Sequence, residues 1–183
     1  EFLGLTPREV RAFGIAGLLH DLGKVAIPDD VLNKPGKLTL AERELLQSHT
    51  VEGARLILEA EEHLDMAAIV AYEHHMCIDG SGYPHFHYPR ACHQASNLVH
   101  VCDVFDALRT DRPYRDAWPM DRALEIIEAG AGPELDRDVA HAFLAMMERW
   151  GDRIAQVSPE DPTVRTEPEE VVLDLDEGEE ALD

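Results

Sequence analysis

The sequence predicts an all-α fold, a helical bundle followed by an acidic tail. Three observations predict it. Thr6-Pro7-Arg8-Glu9 and Thr39-Leu40-Ala41-Glu42 are capping boxes, the first with Pro at the opening helical position. Apolar residues recur at helical spacing along most of the chain, and no alternating run reads as a strand. Residues 159–183 hold eleven acids and one Arg, a charged stretch with a weak hydrophobic pattern that reads as disordered.

The elements follow in order. The first capping box opens a helix through Val10, Phe13, Leu18 and Leu19 that ends near Gly23. The second opens a helix to about Glu59, with Leu45, Leu46, Gly53, Leu56 and Ile57 on one face. A third helix covers about 63–75, and a loop bearing Gly and Pro follows at 76–94. The stretch ASNLVHVCDVFDALR makes a fourth helix over about 95–109. Two more lie near 120–130 and 137–150, the second started by Asp136. The expected organisation is one domain over 1–155 and the tail over 156–183. The chain opens Glu-Phe-Leu rather than Met, which reads as part of a longer protein whose upstream residues supply a further helix of the domain.

Composition bounds the function. The 183 residues, 45% hydrophobic, suffice for one core. No run approaches the roughly 18 apolar residues of a membrane span, and no signal peptide is visible. Net charge is −21, a poor basis for binding long nucleic acid, whose affinity comes largely from Lys and Arg. A phosphate ligand would need another attractor, and bound cations would serve. Cys77, Cys92 and Cys102 form no CxxC pair, against a disulfide framework and in keeping with a cytoplasmic setting.

The segment GLLHDLGK ends its helix with His20 and Asp21, then Gly23 and Lys24. His49 falls on the apolar stripe of the second helix, four residues after Leu45. His74 and His75 end the third helix. Asp103 sits among Val101, Cys102, Val104 and Phe105, where an ionised carboxylate costs several kcal/mol unless paired. Each has an ordinary explanation alone: a hydrogen-bonded core His, a chance His-His, an Asp paired to Arg. Six such residues on four apolar helices are satisfied together by one cation cluster in the bundle core. Mixed nitrogen and oxygen ligands suit Mn, Fe, Zn or Ni rather than Ca or Mg.

The segments HDLGK (20–24), IPDDVLNKPGKLT (27–39), SHTVEGARLI (48–57), HH (74–75), DGSGYP (79–84), DVFDALRTDRPYRDAW (103–118) and EAGAGPELD (128–136) come in one order and spacing. Over about residues 3–148 the chain resembles an HD-GYP domain, a branch of the HD phosphohydrolase superfamily. The resemblance implies an HD-domain helical bundle acting as a bacterial cyclic di-GMP phosphodiesterase with two or three metals, often iron or manganese. It makes His20, Asp21, His49, His74, His75 and Asp103 the ligands, with Asp21 bridging two ions. It implies attack by metal-bound hydroxide and release of pGpG or GMP, with the metals and Lys24 stabilising phosphoryl charge. Gly23 is expected to turn the chain so that Lys24 faces the phosphate. Arg112 and Arg115 match positions that hold substrate phosphates. Gly82, Tyr83 and Pro84 are candidates for docking a partner protein, with a structural turn as the other reading. A third metal depends on an upstream helix. An upstream receiver or sensor domain is typical of the family.

Met76 stands where the family usually has Glu after HH, and Cys77 and Ile78 replace a polar and aromatic pair. These departures keep two alternatives open. One is a catalytically weak module that binds the nucleotide or a protein. The other is a phosphohydrolase of another signalling nucleotide. His63, His85, His87, His93, His100 and His141 are expected at the surface or in polar packing. His100, one turn before Asp103, is the candidate for supporting a ligand. Asp106 is expected to make a hydrogen bond rather than bind metal.

Overall fold

The computed structural model describes residues 2–60, 63–85, 91–111 and 116–155, with side chains to 151. Over these residues it is helical. The helices are α1 (Pro7–Leu19), α2 (Asp29–Leu32), α3 (Leu40–Gln47), α4 (His49–Ala60), α5 (Asp65–Glu73), α6 (Gln94–Arg109), α7 (Met120–Gly130) and α8 (Arg137–Ala155). A 3-10 segment over Leu22–Ala26 joins α1 to α2. Among the described residues no helix is long and apolar enough to cross a membrane. The acidic tail at 156–183 and the Arg112–Arg115 stretch lie outside the described residues.

Both capping boxes form: Glu9 N and Glu42 N each donate to their threonine hydroxyl, while the Glu side chain accepts from the threonine backbone. Asp136 starts α8 by accepting from Val139 N at 3.0 Å. The helix expected over 39–59 is two helices. Ser48 Oγ donates to the Leu45 carbonyl at 2.7 Å, a local bond that competes with helix continuation, and a new helix begins at His49. The break changes the phase of the apolar stripe. Leu45 is 41% exposed, while Leu46, Gly53 and Ile57 are buried.

In α1 the covered stripe is Phe13 and Ala16. Val10 and Leu18 of the same helix are exposed. Helix α1 ends at Leu19, earlier than expected, because the chain tightens into the 3-10 segment.

Helix α6 lies between two cores. Ala95 and Val99 face Phe13, Ile57 and Val70 from α1, α4 and α5. Val101, Val104 and Leu108 face Ile127 of α7 and Phe143 of α8. Small buried residues Ala67, Ala68 and Ala71 let α5 sit close to its neighbours. A smaller cluster of Ile27, Val31 and Leu46 secures α2 on α3. The α1 end, the α4 start, the α5 end and the middle of α6 therefore meet, and these are the places where the unusual polar residues lie.

Gly23 is needed for approach rather than for a turn. A Cβ there would lie 1.9 Å from the His49 carbonyl oxygen and 2.5 Å from Gly53 N. Gly23 thus lets the HDLGK segment rest on α4 and brings Asp21 beside His49.

Candidate metal centre

The structure brings all six sequence-predicted ligands together. Ligand atoms of Asp21, His49, His74 and His75 lie within 4.8 Å of one another. His20 Nε2 is 3.0 Å from Asp21 Oδ2 and 3.9 Å from Asp103 Oδ1. His75 Nδ1 is 4.0 Å from Asp103 Oδ2. His49, His74 and His75 form a buried floor, and His20, Asp21 and Asp103 form a partly open rim. An apolar groove of about 430 Å³ between α1 and α6 ends at His20 and Asp103.

The backbone sets the imidazoles. His20 Nδ1 lies 2.6 Å from the Gly17 carbonyl. His49 Nδ1 lies 2.7 Å from the Leu46 carbonyl. His74 Nδ1 lies 3.0 Å from the Ala71 carbonyl. A carbonyl can only accept, so each ring carries its proton on Nδ1 and, when neutral, turns a bare Nε2 inward. This is how metal-binding imidazoles are usually oriented. His49 Nε2 and His74 Nε2 face each other at 3.3 Å. Each stands 3.6 Å from Asp21 Oδ1, and that buried oxygen accepts no hydrogen bond among the described residues.

Acceptors facing acceptors in a buried place repel unless something positive lies between them. Ligand atoms about 2.0–2.2 Å from one zinc-like ion can be at most roughly 4.4 Å apart, so the cluster needs only slight contraction to hold one. The donor set fits a divalent transition metal.

Electrostatics follow the same pattern. Burial holds the His74 imidazole down, to about 3, with the His75 and His20 rings adding to the effect. Burial also pulls His20 down, but its contact with Asp21 and the charges of Asp21 and Asp103 outweigh that and raise it to about 9. Burial pushes the Asp21 carboxyl up, yet the His20 and His74 rings and the Lys24 charge hold it far below the usual carboxylate range. Lys24 Nζ donates to Asp21 Oδ2 at 2.9 Å. Thus one Asp21 oxygen meets Lys24 and the other faces the paired histidines.

The GYP segment supports the centre from one side. Tyr83 stacks on His75, with centroids 4.6 Å apart and planes at 29°. Tyr83 N donates to the His75 carbonyl at 3.0 Å. Gly82 has φ +79°, and a Cβ there would meet the His75 oxygen at 2.1 Å. Pro84 follows in the same turn. The loop is anchored to the α7–α8 connection through Ile78 N to the Glu134 carbonyl at 3.0 Å and Asp79 N to the Pro133 carbonyl at 2.9 Å. Asp106 is exposed on the groove wall. Arg112 and Arg115 lie outside the described residues.

His100 is buried beside the Met76 backbone, and burial lowers it to about 4. One residue was not expected at all. Glu73 is 1% exposed and accepts from His93 N at 2.8 Å and Ser96 Oγ at 2.7 Å. Its signal in the sequence is an acid three residues after Val70 on an apolar helix, directly before the His pair.

The HD domain family matches residues 1–139. Over 145 residues, 79% of this chain, 43% are identical to the "cyclic di-GMP phosphodiesterase response regulator RpfG" of Xanthomonas campestris pv. campestris, covering 38% of that protein. Over 138 residues, 74% of this chain, 43% are identical to the cyclic di-GMP phosphodiesterase PA4108 of Pseudomonas aeruginosa, covering 32% of it. Over 153 residues, 83% of this chain, 35% are identical to 3'3'-cGAMP-specific phosphodiesterase 2 of Vibrio cholerae, covering 29% of it. The chain belongs to the HD domain family, in its HD-GYP branch. It spans well under half the length of these relatives.

Proposed function

We propose that the chain is a metal-dependent phosphodiesterase domain that hydrolyses cyclic di-GMP and serves as the output of a signalling protein. The observation that carries this reading is the convergence of His49 Nε2, His74 Nε2 and Asp21 Oδ1 within 3.6 Å of one another. The names of the relatives supply the substrate class.

His20, Asp21, His49, His74, His75 and Asp103 would hold about two divalent ions, Fe or Mn in first place and Zn or Ni in second. When bound, the ions activate water and neutralise charge on the phosphoryl group. The neutral rings bind cations without adding charge, which leaves Asp21 and Asp103 to supply the negative balance. Lys24 is 2.9 Å from Asp21, so a phosphate drawn to Asp21's ions also meets this ammonium, which stabilises the oxygen charge that grows during reaction. Arg112 and Arg115 hold the substrate's phosphates by their planar forks. Water adds at phosphorus, the bond to the ribose 3′ oxygen breaks, and that oxygen takes a proton. The product is pGpG, and a second hydrolysis gives GMP. Tyr83 keeps His75 in place, and the exposed part of the GYP loop remains a surface for a partner. The Xanthomonas relative is a response regulator, and by that likeness an upstream receiver domain would supply the signal to this chain.

The test is chromatography of digests made with metal-loaded chain and either cyclic di-GMP or 3'3'-cGAMP. Metal-dependent pGpG or GMP from cyclic di-GMP supports the reading. Preferential cleavage of 3'3'-cGAMP transfers the proposal to the other substrate named among the relatives. No cleavage of either by metal-loaded protein refutes the enzyme reading in favour of a binding module.

A further inference from the structure

Three residues of α6 form one stripe toward the end of α5: Ser96, His100 and Asp103, at helical spacing i, i+4 and i+7. Each meets a different part of the short segment 73–76. Ser96 Oγ donates to the Glu73 carboxylate at 2.7 Å. His100 lies against the Met76 backbone. Asp103 faces His75 at 4.0 Å. The His74-His75 pair is thus held on both sides by polar contacts to the helix that carries the remaining acidic ligand.

We infer that this stripe is a polar zipper which sets the α5–α6 register, and that Glu73 is the positioning residue that brings His74 and His75 to the correct distance from Asp103. The inference rests on the metal reading above and goes beyond it to residues that touch no ion.

The chemistry makes a specific register necessary. A carboxylate with 1% exposure is tolerated only where donors meet it. Glu73 finds them at the start of α6, from His93 N and Ser96 Oγ, where the helix dipole also favours negative charge. Sliding α6 by one residue, about 1.5 Å, would strip both donors from a buried charge. Tyr83 and the backbone bond of His74 Nδ1 orient the rings themselves; neither ties them to α6. Met76, buried and uncharged, brings no acid to the zipper, so the acidic contact comes from Glu73.

The test measures Mn2+ binding by the metal-stripped full chain, together with the electron paramagnetic resonance of the bound ion. Glu73→Ala is expected to weaken Mn2+ binding by about 10–100-fold and to change the Mn2+ spectrum as Asp103 and His75 separate. Glu73→Gln keeps an oxygen that both donors can use, and is expected to restore most of the affinity and the original spectrum. Ser96→Ala removes one donor and is expected to give an intermediate loss; it carries the test if Glu73→Ala does not fold. Folded Glu73→Ala with unaltered Mn2+ affinity and spectrum overturns the zipper. So does Ser96→Ala indistinguishable from the unaltered chain, or Glu73→Gln no better than Glu73→Ala. Unaltered chain that binds no Mn2+ is a different failure, since it removes the metal reading beneath the zipper as well.

Discussion

His49 and His74 meet Nε2 to Nε2 at 3.3 Å, while each ring's other nitrogen faces a backbone carbonyl. The two rings come from α4 and α5, and Asp21 Oδ1, from the turn after α1, lies 3.6 Å from both. A cation among these three atoms turns mutual repulsion into coordination. The first prediction follows from that geometry. Asp21→Ala and His20→Ala are expected to abolish turnover and to lower bound metal, read by elemental analysis beside a turnover assay. Normal activity in either variant would contradict the assignment.

Lys24 gives a prediction of a different kind. Its ammonium touches Asp21 but cannot ligate a cation while charged. Lys24→Ala is expected to lower kcat by about 10²–10³-fold, the usual scale for one lost charge-stabilising donor, while most of the metal is retained. Loss of metal in parallel with kcat would mean that Lys24 only holds Asp21.

Gly80 and Gly82 separate backbone strain from close contact. Both have positive φ, +88° and +79°. A Cβ on Gly80 meets nothing within 4 Å, whereas one on Gly82 would reach 2.1 Å from the His75 carbonyl oxygen. Gly80→Ala is expected to cost about 1 kcal/mol, the strain alone. Gly82→Ala adds overpacking of roughly 1–3 kcal/mol and displaces His75, so it should also weaken metal binding. Equal stability and equal metal affinity in the two variants would show that the GYP turn does not support the ligand.

The α3 cap gives a pH prediction. Lys34 and Thr39 hydrogen-bond to the Glu42 carboxylate, Lys34 with the larger effect, and hold its pKa at about 2, below the usual 4.5. The folded state thus binds this proton less readily than the unfolded chain. Its contribution is complete above about 4.5 and is lost as pH falls toward 2. The gap in stability between the unaltered chain and Glu42→Gln, from denaturant midpoints, should therefore shrink over that range. A gap that stays constant or widens with acid would show that Glu42's charge contributes nothing to the cap.

The fold class and all six clustered residues were legible in the sequence because each announces itself locally. A capping box, an acid on an apolar helix and a His pair at a helix end are patterns within a few residues. Features set by tertiary contact were not. The break at Ser48 left Leu45 exposed, since apolar spacing alone reads through a one-residue change of phase. Val10 and Leu18 fit a helix pattern but are exposed, whereas Phe13 and Ala16 are buried. Gly23 looked like a turn residue, and its reason is the backbone of α4. Glu73 escaped notice because its donors lie 20 and 23 residues further along, a pairing that no local pattern records.

The central claim is that the His/Asp cluster holds divalent metal and that the metal drives cyclic di-GMP hydrolysis. Its most direct test is elemental analysis of anaerobically purified protein, with cyclic di-GMP turnover followed on the same sample before and after chelation. The expected result is about two Fe or Mn ions per chain, with pGpG or GMP formed only while they are bound. Protein that retains no transition metal, or that cleaves cyclic di-GMP equally well after the metal is stripped, would contradict it.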